Sequence, residues 1–169
     1  MKVGIIWENI EYGGVTTHLE SLLNNKVFKN YKFVIFTNKT NLACTRLKNS
    51  LNKNNISFVH FDSLNIIYFE NSLLKSIFFL FRPILFILSI FQFYKILKKF
   101  DFDILLGECG GYGDFRSEVA GLVSANFLKF PIKLLLIHHS YTKPFLWQTF
   151  IKLIDIILRK SVNGIIFVS

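Results

Sequence analysis

Three short stretches hold the residues whose types and spacing could do chemistry. The first runs from Glu8 to His18, where an apolar segment gives way to Gly13 and Gly14 and then to helix-forming residues. Glycine lets backbone amides approach a ligand closely, and a helix N-terminus favours an anion, so phosphate could be cradled here. The pair is not the GxGxxG pattern, and an ordinary tight turn would also account for it. The second stretch is Gly107-Glu108-Cys109-Gly110-Gly111-Tyr112-Gly113-Asp114-Phe115-Arg116. From Gly111 its spacing approaches GxGxxG, but Arg116 stands where the third glycine belongs, which speaks against a dinucleotide. Glu108, Asp114 and Arg116 could hydrogen-bond a sugar or pair with one another. The third stretch places His138 and His139 after an apolar run, with Tyr141 following. Imidazoles there could donate a hydrogen bond or shuttle a proton. A zinc pair is disfavoured, because adjacent residues on an extended segment point in opposite directions and no third ligand is near in sequence. No metal is expected.

These stretches must be positioned by the elements around them. Runs of strand length alternate with segments of helical period. The sequence predicts strands over Val3–Trp7, Phe33–Thr37, Ser57–Phe61, Asp103–Leu106, Ile132–Ile137 and Gly164–Val168. Helices are predicted over Thr17–Asn24, Asn41–Asn54, Ser72–Lys99, Arg116–Lys129 and Pro144–Arg159. Thr17 and Glu20 have the form of a capping box for the first helix. The strand segments are continuous Val/Ile/Leu/Phe runs rather than alternating ones, which indicates strands covered on both faces. Strand and helix in strict alternation argue for an α/β fold, a doubly wound, mostly parallel Rossmann-like sheet. All three chemistry-bearing stretches would then follow strands and face one sheet edge, where ligands of open α/β sheets sit.

With 169 residues the chain fits one domain spanning 1–169. Half of it is hydrophobic (51%, against 18% charged), which excludes a disordered tail. The formal charge is +9, but the lysines are spread along the chain without a dense basic block interleaved with aromatics. That distribution argues against nucleic acid and favours an anionic membrane surface. Cys44 and Cys109 are far apart and in no metal-ligand spacing, as expected of free thiols in a cytoplasmic protein. The opening apolar run is too short for a signal peptide, which points the same way.

Ile77 to Tyr94 is a further apolar stretch, one of the places where the 20 phenylalanines concentrate. Its length approaches the about 20 residues of a membrane span, but Arg82 and Pro83 interrupt it and Lys95, Lys98 and Lys99 follow. A helix packed on the sheet with Pro83 near its first turn, an interfacial helix whose lysines meet anionic headgroups, and a membrane span are all compatible with that pattern.

Taken together, the stretches resemble the N-terminal domain of family 4 glycosyltransferases, which have the two-Rossmann-domain GT-B architecture. The opening strand and GGVTTHLESL are similar to that family's Gly-Gly-x-x-x-His-x-x-x-Leu, carried here by Gly13, Gly14, His18 and Leu22. The strand ending at His138-His139 before Tyr141 and Pro144, and the closing GIIFVS, are also similar. The resemblance implies transfer of a sugar, with retention, from a nucleotide diphosphate-sugar and without a bound metal or other cofactor. It implies that Gly13 and Gly14 lie against the donor diphosphate or reacting centre, with His18 beginning the neighbouring helix. His138 or His139 would contact the donor sugar or acceptor. The family's donor-binding C-terminal domain has no counterpart in this sequence, so the expectation is an acceptor-side half that is inactive alone. A cytoplasmic protein, peripheral on the inner face of the membrane, would fit.

Three other readings compete. A non-catalytic Rossmann-like subunit of a split transferase would share the fold. A membrane-anchored fragment would use Ile77 to Tyr94. A nicotinamide oxidoreductase is weak, because Thr37-Asn38 ends the second strand where an acidic residue would hold the ribose. Acceptor choice would lie in the region Asn65 to Arg82.

Overall fold

The computed structural model describes residues 1–9, 13–51, 55–64, 72–110, 116–138 and 148–168, with the backbone alone over 72–80 and at 148. Six strands alternate with five helices: β1 (Lys2–Trp7), α1 (Gly14–Asn24), β2 (Lys32–Asn38), α2 (Ala43–Ser50), β3 (Ile56–Phe61), α3 (Ser72–Leu97), β4 (Ile104–Cys109), α4 (Ser117–Phe127), β5 (Ile132–Ile137), α5 (Gln148–Ser161) and β6 (Gly164–Phe167). A 3-10 turn, Lys26–Phe28, follows α1. The strands form one sheet in the order β3-β2-β1-β4-β5-β6, and every pairing is parallel. The sheet is therefore Rossmann-like, with its order reversing between β1 and β4, and that reversal opens a crevice at the carboxyl edge.

Alternation along the strands divides the core. Val3, Ile5 and Trp7 of β1 join Phe33 and Ile35 of β2 on one face, under Val15, Leu19 and Leu23 of α1 and Ala43, Cys44 and Leu47 of α2. Ile6, Val34, Phe36, Leu105 and Leu135 point the other way, to Phe86, Phe93 and Leu97 of α3 and to α4 and α5. Because both faces are covered, the strands read as unbroken apolar runs in the sequence. Helix α4 is the innermost helix, with Ser117 through Ala125 all buried. Gly121 permits that depth: a Cβ there would overlap the Ile6 side chain and press on Phe93.

Several boundaries differ from the sequence reading for physical reasons. Helix α1 starts at Gly14, so Thr17 lies inside it, its amide donating to Gly13 O at 3.1 Å; no side chain caps the helix. The capping box is thereby displaced by a turn that glycine begins. Strand β4 continues through Glu108 and Cys109, which pair with Leu136 and Ile137 of β5, so these two residues belong to the sheet rather than to the loop. Pro83 falls well inside the 26-residue α3 instead of near its first turn. Helix α2 ends at Ser50, short of Asn54. Pro144, with which α5 was predicted to begin, lies outside the described residues. No helix among them is long and apolar enough to cross a membrane.

Candidate functional site

The crevice is built by three elements that the chain order keeps far apart. Helix α1, which follows β1, carries His18 on its second turn. Strand β4 carries Glu108, fully buried, at its last position but one. His138 is the first residue past β5, and its amide donates to Cys109 O at 3.1 Å, which fixes the backbone across the β4–β5 rim. The Glu108 carboxylate then meets both imidazoles. Its Oε2 lies 2.8 Å from His138 Nε2 and its Oε1 lies 3.3 Å from His18 Nδ1. The first contact is a hydrogen bond. The second is a charge contact that is not aligned as a hydrogen bond, so among the described residues neither Oε1 nor Nδ1 has an aligned partner. The two rings stand edge to face with centroids 4.9 Å apart.

A carboxylate taken fully out of water needs positive charge or hydrogen-bond donors nearby. His18 supplies part of that need: the adjacent Glu108 raises its pKa above the ordinary 6.5, against the opposing pull of its own partial burial. In the tautomer that donates from Nε2, His138 keeps Nδ1 as an acceptor, the form an imidazole needs to take a proton from a hydroxyl. The donor atoms of His18, Glu108 and His138 all lie within 4.8 Å of one another. Two imidazoles and a carboxylate are also a zinc ligand set. The sequence reading missed this grouping because the third and second ligands are 30 and 120 positions from His138.

Gly13 and Gly14 open α1 beside this cluster. Gly13 is extended (φ −162°), a conformation any residue adopts. Among the described residues, a Cβ at either position would meet no protein atom within 4 Å.

A second pair of acids, assigned no role from the sequence, lies under the same rim. Glu8, just past β1, and Glu118, in the first turn of α4, are both buried. Glu118 Oε1 accepts the Glu8 amide at 2.8 Å, and Glu8 Oε2 accepts the Ser117 amide at 3.1 Å. This exchange bolts the end of β1 to the start of α4. Burial first, and then the neighbouring Glu8 charge, push Glu118 up to about 8, while Arg116 opposes the shift. Burial also raises Glu8, opposed by Ser63, Ser117 and Arg116. Arg116, the residue preceding α4, thus stands beside Glu8 and Glu118 as their counter-charge. The legible signal was Glu8 itself, an acid closing a strand at the ligand edge.

Of the residues singled out from the sequence, His18, Glu108 and His138 are brought together, with Gly13 and Gly14 on the helix that carries His18. His139, Asp114 and Tyr141 lie outside the described residues. Asn38, at the position where a dinucleotide-binding protein would offer an acid, accepts the Asn9 amide at 3.0 Å and donates to Thr40.

No family model matches the sequence, and no curated protein matches it significantly. Solved structures do. The crystal structure of Acinetobacter baumannii MurG, a GT-B glycosyltransferase of family 28, aligns with a TM-score of 0.58 at 15% identity. The match covers 98% of this chain and 40% of that one. The chain thus has the fold of a Rossmann-like GT-B half domain and spans less than half the length of that neighbour.

Proposed function

We propose that this chain is the acceptor-side half of a GT-B glycosyltransferase, which moves a sugar from a nucleotide diphosphate-sugar to a glycan or lipid-linked acceptor. One observation carries the reading: a buried glutamate holds two imidazoles at the carboxyl edge of a parallel sheet, beside a glycine pair that opens a helix. His138, or His18 across the same carboxylate, takes the proton of the acceptor hydroxyl as the new bond to the sugar forms. Glu108 orients the rings and stabilises the imidazolium that results. The amides at Gly13 and Gly14 and the α1 N-terminus face the departing diphosphate, whose charge they offset. His139, Asp114, Arg116 and Tyr141 complete the substrate contacts in this reading, and the donor nucleotide is held by a second Rossmann-like domain. The chain alone is then inactive.

Retention of the anomeric configuration is what the family 4 resemblance implies. The imidazole–carboxylate pair favours a second reading, inversion by in-line displacement, since that route needs a base on the acceptor hydroxyl.

The test is a transfer assay with radiolabelled nucleotide-sugars and a membrane lipid extract. It is run on the chain alone and on the chain supplied with a second, donor-binding Rossmann-like domain. Label should move only in the second case. Glu108→Gln and His138→Ala should lower the rate by roughly 10²–10⁴-fold, the usual scale of general-base catalysis. Gly14→Ala should weaken donor binding without unfolding the chain. Full transfer by the chain alone would refute the half-enzyme reading, and undiminished transfer by both variants would refute the site. The anomer of the product, read by NMR, decides between retention and inversion.

A further inference from the structure

The helical face of α3, α4 and α5 carries an apolar surface that the sugar site does not use. Helix α3 is divided along its length. Phe86, Phe93 and Leu97 enter the core, while Ile84, Ile87, Leu88 and Phe91 are 46–61% exposed. Helix α5 repeats the pattern, with Leu153, Ile156 and Ile157 exposed and Ile151, Ile154 and Leu158 buried. Between them α4 is recessed, so the three helices enclose an open trough of about 550 Å³. Ile87, Phe91, Tyr94, Phe127 and Ile157 line it. Apolar surface this continuous on a soluble face marks a place where something apolar binds.

Charge says what kind of partner it is. On each of the three helices the last lining residue is followed within four positions by lysine. Lys95 and Lys98 follow Phe91 and Tyr94, Lys129 follows Phe127, and Lys160 follows Ile157. On α3 these are the same stripe, since 91, 94, 95 and 98 share a face at 3.6 residues per turn. Lys98 stays in helical register, its amide donating to Tyr94 O at 3.1 Å. All three helices run antiparallel to the strands, so their C-terminal ends, and these lysines, gather at the sheet edge opposite the His–Glu cluster. Helix α3 has no acidic residue, and the one acid of α5, Asp155, pairs with Arg159 at 2.8 Å. A second copy of this chain, itself carrying a net +9, would on balance be repelled by those lysines.

We infer that the α3–α4–α5 trough is the face on which the protein docks to an anionic bilayer, its apolar side chains entering the acyl boundary while Lys95, Lys98, Lys129 and Lys160 meet lipid phosphates. Docking of this kind needs a broad apolar face with basic residues at its border, not a spanning helix. The inference deepens the lipid-linked acceptor reading. Its test involves no sugar transfer, so the two can fail separately.

The experiment is co-sedimentation of the chain with vesicles of phosphatidylcholine alone or mixed with phosphatidylglycerol. Binding should be strong only to the mixed vesicles and weaken with salt. Lys95→Glu, Lys98→Glu and Lys160→Glu combined should weaken it by at least about 100-fold, from about 1 kcal/mol for each basic residue lost at an anionic surface. Phe91→Asp with Ile157→Asp should abolish it. All these positions are exposed, so circular dichroism should show an unchanged fold. Equal binding to neutral vesicles, or full binding by the aspartate pair, would overturn the inference. So would a concentration-dependent dimer that the aspartate pair dissolves while vesicles bind nothing, since the face would then join copies.

Discussion

Replacing His138 with alanine tests the energetics of the site without any substrate. Glu108 is wholly buried, and among the described residues its one aligned hydrogen bond from a side chain is the 2.8 Å contact with His138, itself almost fully buried. Removing that donor leaves a buried carboxylate uncompensated, a loss that costs roughly 3–5 kcal/mol. In a domain of this size each kcal/mol shifts the melting temperature by about 2–4 °C, so the variant should melt roughly 6–20 °C lower. Adding Glu108→Gln removes the stranded charge while keeping the side chain's shape. The double variant should therefore recover much of the loss, with a coupling energy of about 2 kcal/mol or more. His18 adds a pH signature. Its pKa is raised in the fold, so its share of stability is fully present below its unfolded value of 6.5 and is lost as pH rises through the higher folded value. His18→Ala should consequently cost more at acidic than at alkaline pH. Urea unfolding of the parent, both single variants and the double across pH reads all of this. A His138→Ala penalty under 1 kcal/mol, or simple additivity in the double variant, would refute the claim that Glu108 depends on these rings.

Two further perturbations test the frame around the site. Glu118 holds its proton up to about 8 in the fold but loses it near 4.5 when unfolded, so the native state binds the extra proton between those values. Stability should fall across that window by an amount on the order of 5 kcal/mol, and Glu118→Gln should flatten the decline and exceed the parent at pH 8, as denaturation at several pH values would show. Gly121→Ala should destabilise by about 1–3 kcal/mol through its overlap with Ile6, and Ile6→Val in the same chain should restore part of that in thermal melts.

The sequence by itself determined the elements and their class. Strands buried on both faces must be apolar at every position, so β1, β2 and β5 were legible to within a residue or so, and their alternation with helices required parallel pairing. Local patterns failed where a neighbour decides the outcome. Thr17 and Glu20 have capping spacing, yet α1 begins at Gly14. Glu108 looks like a loop residue until Leu136 extends the ladder past it. The stripe from Ile77 to Tyr94 carries no sign of which phenylalanines face α4, and only packing separates Phe86 and Phe93 from Phe91. The alternation of strand and helix brings the three stretches to one sheet edge, but the direct contact of His18, Glu108 and His138 was out of reach, since it follows from strand order and not from spacing. Sterics and burial act over a few residues and leave a periodic trace in the chain. A site assembled across 120 residues leaves none, because its geometry exists only once β1, β4 and β5 lie side by side.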